Sequence, residues 1–482
     1  MFGDVLIWIG YIAVFVYLAR KGSGHDAMST GQVSFGIQAF AYVATYISAV
    51  ALVGFGGLAY VYGMQMMLVA AGNVWLGTWI VYRYLAWPTR LCQQKLGART
   101  PTQLIALGHN SPMLGRCLAV LFAVFLGVYA SAVIKGAALM LAEIVPLPVW
   151  LVVWLVCLLV GFAVFVGGLR GVLYTEAMQG FVMLIGIGML MVAVFNAVGG
   201  PITGLEKLAA LPPTAQASNG FVALSGGEQG WFIFSLVIVT SIAVWAQPQM
   251  VQRHFALASP KQVSRITPLA ILVLTVLVGG AYYIASLSRL ILPEVASPDA
   301  VMPTLVKMLL PNVGLQIFVL AIVSASLSTA TAIYHIAVSA IAEDLPARKA
   351  TRPAWLLGII FIIAISGGCA QIKGQLIALL CATSWSIVGS TVLVPYVALV
   401  RMGKRSALAA WLSCSFGFLS CMFWYLCVSP STALVPLMLG SKAAMVPPFF
   451  IGFGFSLLGW YAGWTLDAKA ATELPTQMQQ TA

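Results

Sequence analysis

Long, nearly unbroken apolar runs separated by short clusters of Gly, Pro, Lys and Arg dominate the chain. Runs of about twenty apolar residues suit a helix crossing the hydrocarbon core, whereas a transmembrane barrel alternates in strands of about ten. The pattern predicts about thirteen spans, near 4–19, 32–60, 62–82, 117–143, 149–167, 172–197, 231–251, 267–289, 312–341, 354–370, 375–400, 407–428 and 445–466. The longest polar connection, 198–230, is expected to be a partly ordered loop outside the membrane.

Of the 482 residues, 61% are apolar and 7% charged, where a soluble domain carries roughly 25% charged residues. A water-soluble globule, a disordered chain, a disulfide scaffold and a collagen-like fibre are excluded on that ground. The net charge of +12 calls for no nucleic acid, because many-span proteins collect Lys and Arg in cytoplasmic loops. With the N-terminus outside, eighteen of the 24 basic residues fall on the cytoplasmic side, five fall outside and Lys135 lies within a span. The expected protein is therefore multi-pass, N-out and C-in, in the lipid bilayer of a cell inner or plasma membrane. Its first apolar run has no basic residue before it and Arg20-Lys21 after it, the reverse of a secretory leader.

The eight cysteines lie within spans or at cytoplasmic positions, with no C-x-x-C pair or Cys/His cluster, so no transition-metal site is expected. Neither a G-x-x-x-x-G-K-[ST] loop nor an H-E-x-x-H motif is present, and no paired catalytic residues stand at membrane depth. An enzyme is not expected, and nothing indicates an obligatory protein partner.

The 198–230 connection separates two blocks of five spans that insert from opposite sides, the mark of an inverted repeat. The expected organisation is an extra N-terminal helix and first cytoplasmic loop (1–31), a first repeat (32–198), an external loop (199–230), a second repeat (231–400), and two further helices with a tail (401–482). Each repeat opens on a helix interrupted by polar or helix-breaking residues. In AYVATYISAVALVGFGGLAY these are Thr45, Tyr46 and Ser48, with Gly54, Gly56 and Gly57 closing the run; in SLVIVTSIAVWAQPQMVQRHF they are Thr240, Ser241 and Gln247-Pro248. Such residues are tolerated at depth where backbone is buried in protein or lines a cavity.

Several segments resemble the sodium:solute symporter family, which includes sugar, proline, pantothenate and sialic-acid transporters on the leucine-transporter type of fold. They are ATYISAVALVGFGGLAYVYG at 44–63, IKGAALMLAE at 134–143, GGLRGVLYTEAMQG at 167–180, QPQMVQRHFALASPKQ at 247–262, ASLSTATAIYHIAVSAIAEDL at 325–345 and SWSIVGSTVLVP at 384–395. The resemblance implies an all-α polytopic protein with a 5+5 inverted-repeat core and Na+ as coupling ion. It implies a sodium site made by the carbonyls of Ala44, Ile47 and Ala325 and the hydroxyls of Ser328 and Thr329. Oxygen ligands freed by a helix break suit a small hard cation; Ser328 and Thr329 also fit ordinary bonding to carbonyls one turn earlier. Thr175-Glu176 matches a Thr-Asp position that the family associates with cytoplasmic ion release, with Glu in place of Asp. A carboxylate solvated at a helix N-terminus is the other reading there.

Lys135, eleven residues before Pro146, sits roughly 16 Å along its helix from the outer end, deep for a charge. It is read as the counter-charge of a substrate carboxylate, or as a structural or titrating group. Family geometry adds Tyr46, Ser48, Ala49, Asn73, Thr240, Ser241, Ser384 and Ser386 as substrate contacts. The expected function is sodium-coupled import of a small, partly apolar organic carboxylate by alternating access. A proton-coupled or sodium-independent carrier, in which Lys135 and His335 titrate, and a solute-sensing receptor on the same fold are the rivals.

Overall fold

The computed structural model describes residues 2–21, 34–166, 169–372, 374, 376–429, 446–467 and 472–473. Lys373, Lys442 and Lys469, used in the charge balance, lie outside them. Among the described residues the structure is helical apart from one short antiparallel pair, Lys404–Arg405 with Thr472–Glu473.

In chain order the helices begin with α1 (Phe2–Lys21), α2 (Phe35–Tyr46), α3 (Phe55–Tyr62), α4 (Met66–Val74), α5 (Trp87–Leu96), α6 (Pro101–Gly108) and α7 (Pro112–Leu141). Next come α8 (Val149–Val166), α9 (Leu169–Val198), α10 (Pro201–Ala209), α11 (Gly230–Ser241), α12 (Pro248–His254), α13 (Pro260–Leu274) and α14 (Gly280–Leu287). The last are α15 (Val301–Leu309), α16 (Asn312–Ser339), α17 (Arg352–Ala370), α18 (Ile377–Met402), α19 (Ala407–Cys427) and α20 (Pro448–Leu466). Among the described residues, nine helical stretches are long and apolar enough to span a membrane, and the bent pair 230–254 makes a tenth. One of the nine, Val50–Leu96 at 47 residues, would be roughly 70 Å long if straight, more than twice the hydrocarbon core. It is interrupted at Gly63, whose φ of 67° only glycine adopts without strain.

Three sequence expectations change. The span predicted to end near 82 continues helically to Leu96 through π-helical turns at Trp75–Trp79 and Tyr82–Ala86, so Arg83, Arg90 and Lys95 stand on helix rather than loop. The 198–230 connection contains α10 and buries Ala217 and Phe221, because its apolar residues pack down on the bundle. Gly54, Gly56 and Gly57 do not end the first broken helix but lie in or beside α3, where small size admits a neighbour: a Cβ on Gly57 would lie 2.2 Å from the Pro298 carbonyl oxygen.

α7 packs against α16, α17 and α18, and α2 packs against α9, α13 and α16. Side chains turned outward on α8, such as Leu158 and Phe162, remain large and apolar, as expected where the surrounding solvent is lipid. α19 and α20 form a close pair. Gly459 and Gly463, a G-x-x-x-G spacing, bring α20 onto the backbone of α19, where a Cβ on Gly463 would lie 2.4 Å from Ala409 Cα.

Candidate functional site

Both predicted interruptions occur. α2 stops at Tyr46, Ile47 is extended (φ −99°, ψ 128°), and helix resumes through a π-helical turn at Val50–Gly54. α11 passes through a tight turn at Ala243–Ala246 to an extended Gln247 (φ −64°, ψ 124°), and α12 departs at 53°. A break leaves carbonyls without their intrahelical partners, and those need donors or a cation.

Opposite the first break, α16 supplies two hydroxyls. Ser328 Oγ donates to Ala44 O (2.8 Å) or to Ala325 O one turn back (2.9 Å). Thr329 Oγ1 lies 3.4 Å from Ala44 O, 3.3 Å from Thr45 O and 3.4 Å from Ile47 O. Ala44, Ile47, Ala325, Ser328 and Thr329 thus converge, buried, on one spot, joined by the Thr45 carbonyl that the sequence reading did not include. Ser328 bonds within its own helix as well as across, whereas the contacts of Thr329 Oγ1 to Ala44 O, Thr45 O and Ile47 O all reach the broken helix.

Beside this cluster is a narrow cavity lined by Tyr46, Ser48, Asn73, Thr240, Tyr282 and Trp385, with Ile47, Val50, Ala51, Phe55 and Val278 as its apolar wall. Room for the centres of water molecules is only about 20 Å³, so the surrounding helices must part to admit a solute. Tyr46 Oη reaches Thr240 O (3.2 Å) and Asn73 O (3.5 Å), linking α2 to α11 and α4. Thr240 Oγ1 and the Trp385 Nε1 donor are buried and without a hydrogen-bond partner among the described residues. Buried polar atoms without partners are rare, and these two border a cavity where a solute's polar group would meet them.

Of the proposed contacts, Tyr46, Ser48, Asn73 and Thr240 line the cavity, while Ala49, Ser241, Ser384, Ser386 and Lys135 do not. Ser241 Oγ is 3.5 Å from Asn73 Oδ1. The helical turn of α18 points Trp385 inward and its flanking serines away, Ser384 donating to Phe125 O (2.6 Å) and Ser386 to Ala382 O (2.7 Å). Lys135 instead interacts electrostatically with Asp299, whose Oδ2 accepts the Ile377 N–H at the start of α18 (3.2 Å). Burial pushes the Asp299 carboxyl above the ordinary carboxylate range, against the opposing pull of that N–H and of Lys135. Among the described residues, no charged side chain lines the cavity itself.

The solvated reading of Glu176 is overturned. Its side chain is 1% exposed and forms an ion pair with Arg253 at the end of α12. Thr175 is buried with it, and the Thr45 side chain lies alongside. The sequence reading counted Arg253 only as a cytoplasmic charge, although its place in QPQMVQRHF, six residues past the Gln247 break, could have flagged it. Trp385, Tyr282 and Asp299 were missed altogether; an aromatic in an apolar helix and a lone acid in a loop carry no distinguishing pattern.

The model of the sodium:solute symporter family matches residues 28–412. The chain belongs to that family. A sodium/pantothenate symporter of Haemophilus influenzae is 28% identical over 67% of this chain and 68% of its own length. That of Escherichia coli is 27% identical, over 71% and 72%. In fold, the chain is similar to a substrate-bound, outward-open Na+-coupled sialic acid symporter (TM-score 0.75, 15% identity, 98% of each chain). It is also similar to MhsT in complex with L-phenylalanine (TM-score 0.54, 11% identity, 90% of this chain and 99% of that one). The protein is therefore an all-α, multi-pass membrane transporter of the leucine-transporter type of fold, a sodium-coupled symporter of a small solute and not an enzyme.

Proposed function

We propose that the chain imports a small organic carboxylate with sodium across a cell inner membrane, N-terminus out and C-terminus in. Sodium is held by the carbonyls of Ala44, Ile47 and Ala325 and the hydroxyls of Ser328 and Thr329, and the solute by Tyr46, Ser48, Asn73, Thr240 and Trp385. The repeats are taken as 32–198 and 231–400, within about thirteen spans. The observation carrying this reading is the convergence of two α16 hydroxyls on carbonyls released by the α2 break, immediately beside a cavity with unpartnered polar atoms.

A carboxylate is favoured because the Trp385 N–H needs an acceptor and the helix restarting after Ser48 presents an N-terminal dipole. Relatives described as pantothenate and monocarboxylate transporters handle such acids. With Lys135 beside Asp299, countercharge falls to bound sodium and that dipole. Ion binding would tie α2 to α16 and raise solute affinity by linkage, and the Glu176–Arg253 pair would part as the cytoplasmic side opens. Neither Lys135 nor His335, which packs against Trp355 at 5.4 Å, lines the cavity, so proton coupling through them has less support.

The test is uptake by proteoliposomes of a panel of small carboxylates, amino acids and sugars under sodium or choline gradients, with Ser328→Ala alongside. Sodium-dependent uptake of a carboxylate, with a raised sodium requirement in Ser328→Ala, is expected. Equal uptake in choline would overturn the sodium assignment, and uptake confined to neutral solutes the carboxylate assignment.

A further inference from the structure

A second cavity, with about 270 Å³ against the 20 Å³ of the central one, opens between α4 and α11 beneath the 198–230 segment. Its polar end is Gln65, 0% exposed, whose amide Oε1 and Nε2 both lack a hydrogen-bond partner among the described residues. Ser225 contributes the other polar side chain; Leu68, Ile233, Phe234 and Val237 form apolar walls, and among the described residues no charged side chain lines the space.

The chain builds this pocket. Gly63 turns α3 into α4, and the Met64 N–H donates to Phe221 O (2.7 Å), which seats the 198–230 segment on the turn. A Cβ at Gly63 would lie 2.3 Å from the same carbonyl oxygen. Arg289 clamps the contact, its guanidinium 4.6 Å from the Phe221 ring centre and 4.9 Å from that of Tyr60. Gln65 is thereby cut off from bulk solvent while its side chain lines a space wide enough for a ligand.

A primary amide offers two donors and an acceptor, and enclosing it unpaired in an apolar setting is costly, the more so at a membrane. Walls this apolar suit hydrocarbon better than a string of waters, each of which needs two or more polar partners. We propose that this pocket binds an uncharged amphiphile, a hydroxyl-, ester- or amide-headed molecule whose head bonds the Gln65 carboxamide and whose chain lies along Leu68, Ile233, Phe234 and Val237. The pocket is distinct from the central cavity. Gln65 stands eight residues before Asn73 and Ile233 seven before Thr240, which puts it roughly 10–12 Å away along the same two helices. Its mouth includes Leu68 and Phe234, 37% and 47% exposed, so both the bilayer and the bulk phase can supply such a molecule.

The test uses the full chain in nanodiscs with two diazirine probes: a medium-chain monoacylglycerol added from water, and a long-chain diacylglycerol incorporated in the bilayer. Crosslinks mapping to 65–68 and 225–237 are expected with at least one probe. Labelling by the bilayer probe identifies a membrane source, and labelling by the soluble probe alone a bulk one. Gln65→Leu, which removes the unpaired amide without emptying the site, is expected to cut labelling about tenfold or more without lowering the melting temperature. Val237→Phe, which fills the space, should cut it similarly. No enrichment at these segments over other lipid-facing helices, or labelling unchanged in Gln65→Leu, would overturn the proposal.

Discussion

The Glu176–Arg253 pair joins α9 to the half-helix α12 and is set deep enough for its removal to be measured. Taking away one partner of a buried pair costs about 3–5 kcal/mol, because the remaining charge stays in low dielectric. The two sides are unequal: the Arg253 side chain is 12% exposed and Glu176 1%. Glu176→Gln leaves a guanidinium that still reaches water, at the lower end of that range. Arg253→Met keeps the apolar stem but strands a carboxylate, at the upper end. At about 2 °C per kcal/mol for a large chain, the single variants should melt roughly 6 and 10 °C below the parent. The double variant strands neither charge and should lose less than Arg253→Met alone, which requires a coupling larger than about 3 kcal/mol. Thermal unfolding of the four purified proteins in one detergent, followed by intrinsic fluorescence, gives the cycle. Losses that simply add in the double variant would show that the contact carries no coupling and refute the reasoning.

At the proposed ion seat, Thr329→Val keeps the shape and removes one hydroxyl; the sodium concentration for half-maximal uptake should rise about 10–100-fold, with Thr329→Ser near the parent. Lys135→Met should impair transport and regain much of it when combined with Asp299→Asn, read by uptake rates; an equal deficit in the double variant would return Lys135 to the solute. Because burial raises the Asp299 carboxyl above its unfolded value near 3.8, its favourable contribution is complete below that value and fades as pH rises through the higher folded one. Acidification from neutral should therefore raise the parent's melting temperature relative to Asp299→Asn. Gly463→Leu should force α20 off α19 and lower the yield of folded protein, measured by size-exclusion chromatography, while Gly454→Leu, which has open space at its Cβ, should not.

The helical fold was legible because its signal, apolar runs long enough to cross a bilayer, is local. The two breaks were legible for the same reason: Tyr46-Ile47-Ser48 and Gln247-Pro248 mark the chain where it departs from helix. What the sequence hid was orientation around an axis. Ser384, Trp385 and Ser386 are adjacent, and only the packing of α18 decides that the indole faces the cavity and the hydroxyls do not. Long-range charge pairing was hidden as well. Glu176 and Arg253 are 77 residues apart and Lys135 and Asp299 lie on unrelated elements, so each charge read alone looked solvated or solute-directed. The π-helical continuation to Leu96 escaped notice because Arg83 and Arg90 resemble loop punctuation when their helix leaves the apolar zone.

The hydroxyls of Ser328 and Thr329 lie within hydrogen-bonding reach of the same carbonyls that are proposed to receive sodium. On that reading an arriving ion competes with bonds the protein already makes, so its affinity is a difference between ligation and self-satisfaction rather than the full strength of an oxygen cage. A seat of this kind stays shaped between turnovers and lets go readily. Strengthening its grip, for instance by a carboxylate in place of Thr329, would slow the return of the carrier more than it would speed loading.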